Sequence, residues 1–433
     1  SINCFSQEEF ITIWKTSIPN SNTETSISFT TVVNDSTYSY YWQKVDESYT
    51  ALTPYSPETI VPINTENLTI NFPENGFYRL KITTNSTQFH FKASGPKLLR
   101  IEQWGNINWS DFKESFFGCS NLDVTATDTP NLENVTDMSF MFSNCPNLIY
   151  NNTINLWNTS NVEKFEETFS NSTSFNQPIE DWDMTSATTL ELMFMGANSF
   201  NQPLTEWTVT NVTNFRGVFH YNSSFNQPLN KWNVSNGTDF EHMFCGTLKF
   251  NQPLDLWNVQ NGIKMKWMFN GSNKFNQDLS SWKLNSITEG ENFFSFSGMD
   301  CSNFTNTMLS WSNNNNLASD IIFGIADMKY STILTPVLEW YENTKNWTFE
   351  GIAYEFENCS LNTHNVKQPI IKIYPNPTSN FINIEGIEVE KIDIYDTKGS
   401  LVQKTLNNNQ IEISHLSSGN YIIIINDKFK EII

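Results

Sequence analysis

The phrase Phe-Asn-Gln recurs five times in this chain at a constant interval of 25 residues, beginning at Phe175, Phe200, Phe225, Phe250 and Phe275. A tryptophan series keeps the same interval from Trp157 to Trp282. A second phenylalanine series keeps it from Phe169 to Phe294. Three landmarks that share one period indicate one supersecondary unit that is copied and stacked, which predicts a solenoid. A solenoid presents an extended face rather than a cleft, so the pattern favours binding over catalysis.

The spacing within each unit predicts a short helix followed by a short strand. Val212, Phe215 and Phe219 are spaced like one face of a helix. The segment Phe-Asn-Gln-Pro-Leu is short and contains a proline, so we expect it to be extended. Aligning the chain on the last phenylalanine of each unit, beginning with Phe117 and Phe142, predicts about eight units of the leucine-rich-repeat type. The asparagine after each Phe of Phe-Asn-Gln predicts a ladder that satisfies backbone groups in the turns.

The sequences on either side of the repeats predict additional domains. Residues 1–95 alternate polar and apolar residues between turn residues, which is typical of an N-terminal β-sandwich. Residues 96–300 hold the repeats, and residues 301–365 lose the period but are placed to cap the solenoid. Residues 369–433 again predict strands, in a separate C-terminal β-sandwich that we expect to be joined to the rest by a flexible stretch around residues 362–368. The expected fold class is therefore α+β multidomain, with a leucine-rich-repeat-like solenoid between two β-sandwiches.

The charge balance excludes two classes of partner. The chain has 46 acidic and 25 basic residues and no basic cluster, which argues against binding to nucleic acid or to an anionic membrane surface. It has no run of 18 apolar residues, so we expect no membrane span. Numbering opens at Ser1 without an apolar signal region, which we interpret as a mature chain whose export signal has been removed.

The six cysteines show no CxxC pair with metal-ligand spacing. Cys301 and Cys359 bracket a segment outside the repeats and are candidates for a disulfide bond. Cys119 and Cys145 lie in adjacent units, where stacking would bring them close together. The alternative for this second pair is that both are small buried residues of the stack.

Sequence motifs predict no catalytic, cofactor-binding or metal site, and no enzyme. The five histidines are scattered without the HExxH spacing, and no GxSxG, phosphate-binding loop or EF-hand loop is present. A pair of catalytic carboxylates that meets only in space leaves no such motif.

Two positions vary from unit to unit, one two residues before the last phenylalanine and one directly after it. We interpret variable positions as exposed, so that His220, Tyr221, His242 and Trp267 form an aromatic surface group. Aromatic faces bind sugars and peptides through stacking and buried area. The alternative is that these side chains are scattered surface aromatics without a ligand.

The string from Ser224 to Asn236, followed by Met243-Phe244, resembles the 25-residue BspA-like surface repeat of the DUF285 group. The resemblance covers roughly residues 96–300. It implies a cell-surface or secreted protein, and some members of the group are linked to adhesion. The group defines no catalytic residues.

The tail carries a second set of recognisable phrases, which contain Tyr374, Pro375, Asn376, Pro377, Gly399, Leu416, Gly419 and Tyr421. These phrases resemble the type A C-terminal sorting domain of type 9 secretion substrates in Bacteroidota. The resemblance implies an outer-membrane shuttle barrel that binds the tail and a sortase-like peptidase that removes it.

Together these patterns predict an exported cell-surface or secreted protein that acts by binding, as an adhesin does. One alternative is a glycan-binding protein that supports polysaccharide capture. Another is a hydrolase in the segments outside the repeats.

Overall fold

A computed structural model describes residues 8–17, 23–33, 35–63, 65–149, 153–356, 359, 372–374, 381–385, 389–396, 400–406, 408–417, 421–425 and 429–432. The chain divides into two compact units, Ser1–Leu361 and Asn362–Ile433. The described residues form many small sheets and two α-helices, α1 (Cys301–Ser312) and α2 (Thr335–Lys345). The protein is therefore a sheet-rich multidomain chain. The flexible connection expected around residues 362–368 lies outside the described residues.

Two sheets form the beginning of the first unit. Their strands are β1 (Phe10–Lys15), β2 (Ser26–Val32), β3 (Tyr38–Val45), β4 (Thr59–Val61), β5 (Asn67–Asn71), β6 (Phe77–Thr84), β7 (His90–Lys92), β8 (Leu98–Gln103) and β9 (Asp123–Val124). One sheet has the order β4-β3-β6-β1-β8-β9 and the other β5-β2-β7. The sheets pack through aromatic rings, since Trp14 lies 6.0 Å from Phe29 and Phe10 lies 5.2 Å from Phe91.

One apolar core runs from these sheets through the repeats to Trp347. Trp104 joins the first two parts, because its ring lies 6.2 Å from Phe10 and 5.9 Å from Phe116. The core continues across residues 95 and 300, where the sequence predicted domain boundaries. Those boundaries stay predictions.

Columns of aromatic rings run through the repeats in register. Neighbouring rings from Phe169 to Phe294 have their centroids 5.6–6.1 Å apart and are nearly parallel. The Phe-Asn-Gln phenylalanines form a second column at 5.8–6.2 Å. The indole Nε1 atoms from Trp182 to Trp282 each donate to a carbonyl oxygen of the preceding unit at 2.7–2.9 Å. The recurring tryptophans therefore fill the core and also satisfy backbone carbonyls inside it.

The helix predicted in each unit is wrong. The backbone N–H groups of residues 215, 217, 219 and 221 donate to the carbonyls of residues 239, 241, 243 and 245 in the next unit, at 2.8–3.0 Å. Between them, the N–H groups of residues 218 and 220 donate to the carbonyl three positions earlier, and the Arg216 N–H donates to the Asn214 Oδ1. Gly217 has a φ of +57°, and the same position in the other units has a φ between +49° and +62°. Such a left-handed residue interrupts a helix, and bonding to the next unit replaces the helical pattern.

The asparagine ladder is confirmed, but the predicted strand beside it is not formed. The Asn226 backbone N–H donates to the Asn201 Oδ1 at 2.8 Å, and the Asn251 N–H donates to the Asn226 Oδ1 at 2.9 Å. The Gln227 side chain donates to the Asn201 carbonyl at 2.9 Å. Side chains therefore supply the bonds between units along this edge, in place of a strand.

Phe116, rather than Phe117, occupies the core position in the first repeat. Its ring is fully buried and stacks on Phe142 at 5.5 Å, whereas Phe117 is 41% exposed. Cys119 and Cys145 are buried free thiols whose Sγ atoms contact the carbonyls of Ala93 and Phe116. They are therefore core residues of the stack.

The segment after the repeats adds α1 and α2 and two pairs of short parallel strands. These strands are β10 (Ile322–Gly324), β11 (Lys329–Ser331), β12 (Thr348–Glu350) and β13 (Tyr354–Phe356), and β10 pairs with β12 as β11 does with β13. The Trp311 ring stacks on Phe294 at 6.0 Å. Cys301 and Cys359 form the disulfide bond that their positions suggested.

The second unit has its own core. Its strands are β14 (Lys372–Tyr374), β15 (Phe381–Glu385), β16 (Lys391–Asp396), β17 (Leu401–Leu406), β18 (Gln410–Glu412), β19 (Tyr421–Ile425) and β20 (Phe429–Ile432). They form two sheets with the orders β14-β15-β18 and β17-β16-β19-β20. The core contains isoleucines from both sheets, such as Ile382 and Ile423. The sequence predicted four of these strands, β14, β15, β16 and β19, from their apolar residues, and it did not predict β17, β18 and β20.

Candidate functional site

The structure brings together the four residues that the sequence grouped as a ligand surface. The His220 ring lies 4.0 Å from Tyr221 and 4.9 Å from His242, and His242 stacks on Trp267 at 5.7 Å with an interplanar angle of 17°. We call His220, Tyr221, His242 and Trp267 the aromatic row. It crosses three successive units.

Backbone conformation places the row on one edge of the stack. His242 and Trp267 occupy the same position in adjacent units, with φ of +57° and +62°, and Tyr221 has a φ of +54°. Gly246 makes room for Tyr221, since a Cβ on Gly246 would lie 2.4 Å from the tyrosine ring. A larger residue at Gly246 would therefore displace Tyr221.

Exposure divides the row into two kinds of side chain. Tyr221 is 61% exposed and Trp267 is 36% exposed, whereas His220 and His242 are half-buried. The interpretation that both variable positions are exposed is wrong. At the first position only Trp267 is exposed, and at the second none of the residues is. At that position Cys245 is buried, as are Ser170 and Ser295.

Sequence reasoning missed Cys245 as a neighbour of the two histidines. Cys245 follows His220 by one repeat interval, so stacking places the two side chains beside each other. His242 belongs to the same turn as Cys245, whose N–H donates to the His242 carbonyl at 3.0 Å. One ring nitrogen of each histidine and the Sγ of Cys245 all lie within 4.8 Å of one another. The signal in the sequence is the interval of 25 from His220 to Cys245.

Burial controls the protonation of this cluster. It lowers the pKa of His220 to about 4, with a smaller effect from His242, and raises the pKa of the Cys245 thiol to about 12. Burial, followed by the positive charges of Arg216 and Lys266, also lowers the pKa of His242. Both imidazoles and the thiol are therefore neutral at pH 7. The Nδ1 atoms of His220 and His242 are buried without a hydrogen-bond partner.

A ladder of charges runs beside the aromatic row. Arg216 lies 3.1 Å from Glu191 and 3.7 Å from Glu241, and Lys266 lies 3.7 Å from Glu241 and 3.1 Å from Glu289. The Glu241 Oε1 also lies 3.3 Å from the His242 Nε2. The two cations beside the row are thus compensated by carboxylates of neighbouring units.

The sorting phrases of the tail fall partly within the described residues. Tyr374 ends β14, Leu416 packs against the core, and the Tyr421 hydroxyl donates to the Ser417 carbonyl at 2.8 Å. Pro375, Asn376, Pro377, Gly399 and Gly419 lie outside the described residues. The visible phrases therefore lie at strand ends and on the core of the second unit.

Comparison with known families assigns both regions. Residues 110–221 and 203–311 match the family described as Mycoplasma protein of unknown function, DUF285. Residues 372–433 match the family described as Secretion system C-terminal sorting domain. The middle of the chain therefore carries DUF285-type repeats, and its tail is a type 9 secretion sorting domain. No curated protein and no solved structure matches it.

The sorting domain establishes the destination of this protein. It is exported to the cell surface or secreted, and its tail interacts with the type 9 secretion machinery. In the part of the chain that the structure describes, no helix is long and apolar enough to cross a membrane.

Proposed function

We propose that this exported protein acts by binding, as an adhesin does, and that its stacked units form a leucine-rich-repeat-like solenoid between two β-sandwiches. The aromatic row carries the proposal. Tyr221 and Trp267 expose large aromatic surface at a place where the units stack in strict register. Exposed aromatic residues on a rigid scaffold supply contact area at a low cost in conformational entropy. The function assigned to the row is recognition rather than catalysis.

The ligand class that fits best is a protein or peptide on a neighbouring surface. The row is flanked by charges of both signs from Arg216, Glu241 and Lys266. Aromatic anchors within a mixed polar rim are typical of protein interfaces.

The test is adhesion of the full chain to immobilised extracellular material, compared among surface variants. We expect Tyr221→Ala and Trp267→Ala to lower retention at least tenfold each. Tyr354→Ala and Phe296→Ala are matched controls, since these aromatics are 50% and 55% exposed outside the row. Equal retention of all four variants would show that the row is not the binding surface.

Glycan binding is the second candidate, favoured by one observation. Trp267 is exposed while its ring is supported by the stacked His242 ring. A supported indole face is a stacking platform for a sugar ring. A glycan array probed with the full chain separates the candidates, because Trp267→Ala abolishes array binding only if the ligand is a glycan.

We further propose that an outer-membrane shuttle barrel binds the tail through a sheet edge and that a sortase-like peptidase then removes the tail. β17 and β20 are the edge strands of the four-stranded sheet. On β17, Leu401 and Leu406 are 52% and 60% exposed. An exposed apolar edge is a template for pairing with a strand of another protein.

Secretion of the full chain by a host with type 9 machinery tests this proposal. Leu401→Glu and Leu406→Glu should lower the fraction that reaches the cell exterior, whereas Leu256→Glu should not, although Leu256 is 70% exposed in the repeats. Mass spectrometry of the exported protein reports tail removal. Normal export of both β17 variants would exclude this edge as the contact.

A further inference from the structure

We propose that His220, His242 and Cys245 form a binding site for zinc or a similar transition metal ion. The inference does not depend on what the aromatic row binds. It rests on the proximity of three potential metal ligands from two successive units. No sequence motif predicts this arrangement.

The geometry is close to that of a metal site. The three candidate ligand atoms lie within 4.8 Å of one another. Ligands of a tetrahedral ion, with Zn–N of about 2 Å and Zn–S of about 2.3 Å, stand about 3.5 Å apart. The side chains must therefore close by about 1 Å, which small rotations of two half-buried imidazole rings achieve without moving the backbone.

Unsatisfied nitrogen atoms support the site independently. The Nδ1 atoms of both His220 and His242 are buried and have no hydrogen-bond partner. Buried polar atoms of this kind are uncommon in native structures and call for an explanation such as a bound ion. Coordination of a metal would satisfy both.

The surroundings of His242 match a metal-ligating histidine. Its Nε2 lies 3.3 Å from the Glu241 Oε1, close enough for the carboxylate to orient the ring, while Nδ1 has no hydrogen-bond partner. Metal-bound histidines generally have such a partner, which orients the ring and raises its basicity. The Glu241 side chain in turn contacts Arg216 and Lys266, which holds it in place.

The donor set selects the kind of metal. Two imidazoles and one thiolate suit zinc, copper or cobalt and disfavour magnesium and calcium, which prefer oxygen. Three protein ligands leave a fourth position for water or for a group from outside. The exposed rings of Tyr221 and Trp267 contact His220 and His242, so solvent reaches this side of the cluster.

The charge balance permits the ion. Near the cluster, the cations Arg216 and Lys266 are paired with Glu191, Glu241 and Glu289, which leaves an excess of negative charge. Coordination deprotonates the thiol and adds a further negative charge at Cys245. The thiolate therefore supplies a negative charge beside the ion, which offsets the positive charges of Arg216 and Lys266 that act on His242.

Cobalt titration of the chelator-treated full chain tests the proposal, because a cobalt–thiolate bond has an ultraviolet charge-transfer band. We expect the band to saturate at one equivalent and to disappear when zinc is added. Cys245→Ser should abolish it, and His220→Gln and His242→Gln should each weaken cobalt binding at least tenfold. Glu241→Gln should weaken it by about 10- to 100-fold, as loss of a histidine partner does at other sites.

Two control variants make the result decisive. Cys145→Ser removes a buried free thiol that lies away from these histidines, and His90→Gln removes a buried histidine of the first sheets. Both should retain the band. Absence of the band in the unaltered chain, or a band of full amplitude in both Cys245→Ser and His242→Gln, overturns the proposal. Melting curves of each variant establish that it is folded.

Discussion

The indole Nε1 of Trp311 donates to the carbonyl oxygen of Leu279 at 2.9 Å. The same bond joins Trp282 to Leu254 at 2.8 Å within the repeats. Trp311 lies on α1, where the 25-residue period has ended. We infer that the segment after the repeats caps the stack, because it supplies the tryptophan that a further unit would have supplied. A stack of repeats needs such an atypical end unit to cover its last apolar face.

Replacement of Trp311 by Phe should lower the free energy of unfolding by about 1–3 kcal/mol, because the buried Leu279 carbonyl loses its donor. All fourteen tryptophans precede residue 362, so their fluorescence reports unfolding of the first unit alone. Trp340→Phe is the matched control on α2, since its side chain is only half-buried. Equal effects of both replacements would contradict the capping role.

The first repeat offers a comparison of two adjacent rings. Phe116→Ala should cost about 3–5 kcal/mol, as is usual for removal of a buried phenylalanine. Phe117→Ala should cost less than about 1 kcal/mol, because the side chain is 41% exposed. Urea denaturation followed by tryptophan fluorescence measures both. A larger loss of stability for Phe117→Ala than for Phe116→Ala would support the sequence-based alignment, in which Phe117 is the core residue.

The asparagine ladder predicts a specific loss in Asn226→Leu. The Asn226 Oδ1 accepts the N–H of Asn251, and leucine has no acceptor. Asn251 is exposed, so water replaces part of the bond, and we expect a loss of about 1 kcal/mol. Asn226→Asp keeps an acceptor oxygen at the same place and should be nearly neutral. If leucine instead stabilised the protein, the asparagine ladder would not contribute to its stability.

His90 predicts a component of the pH dependence of stability. Burial lowers its pKa below the ordinary value of 6.5, so the unfolded chain binds a proton more readily than the folded one. Stability is therefore fully present above pH 6.5 and falls as the pH decreases below it. His90→Gln removes this component while retaining a donor for the Lys113 carbonyl, which the His90 Nε2 contacts at 3.1 Å. Denaturation curves at pH 7 and pH 5 should differ less in the variant than in the unaltered chain.

The aromatic residues that stack on one another in the repeats were predictable, because their pairing depends only on the 25-residue interval. A period of 25 places Phe194 between Phe169 and Phe219 whatever path the backbone takes within one unit. The asparagine ladder followed for the same reason. Four of the strands of the second unit were visible in the alternation of apolar residues, since one face of each sheet must be buried.

The backbone path within a unit was decided only by tertiary structure. The spacing of Phe215 and Phe219 fits a helix face, but their N–H groups bond to the next unit, and a left-handed residue lies between them. No local sequence pattern distinguishes a helix from hydrogen bonding between units, because bonding between units requires the neighbouring unit to be present.

The sequence alone determined the repeat, the export route through the tail, and the residues that compose the aromatic row. Tertiary structure decided that Phe116 rather than Phe117 enters the core and that Cys245 joins His220 and His242. The physical reason is the same in both cases. Periodicity specifies which units are neighbours, but the direction in which a side chain points depends on local φ and ψ, and these are set by hydrogen bonds between units.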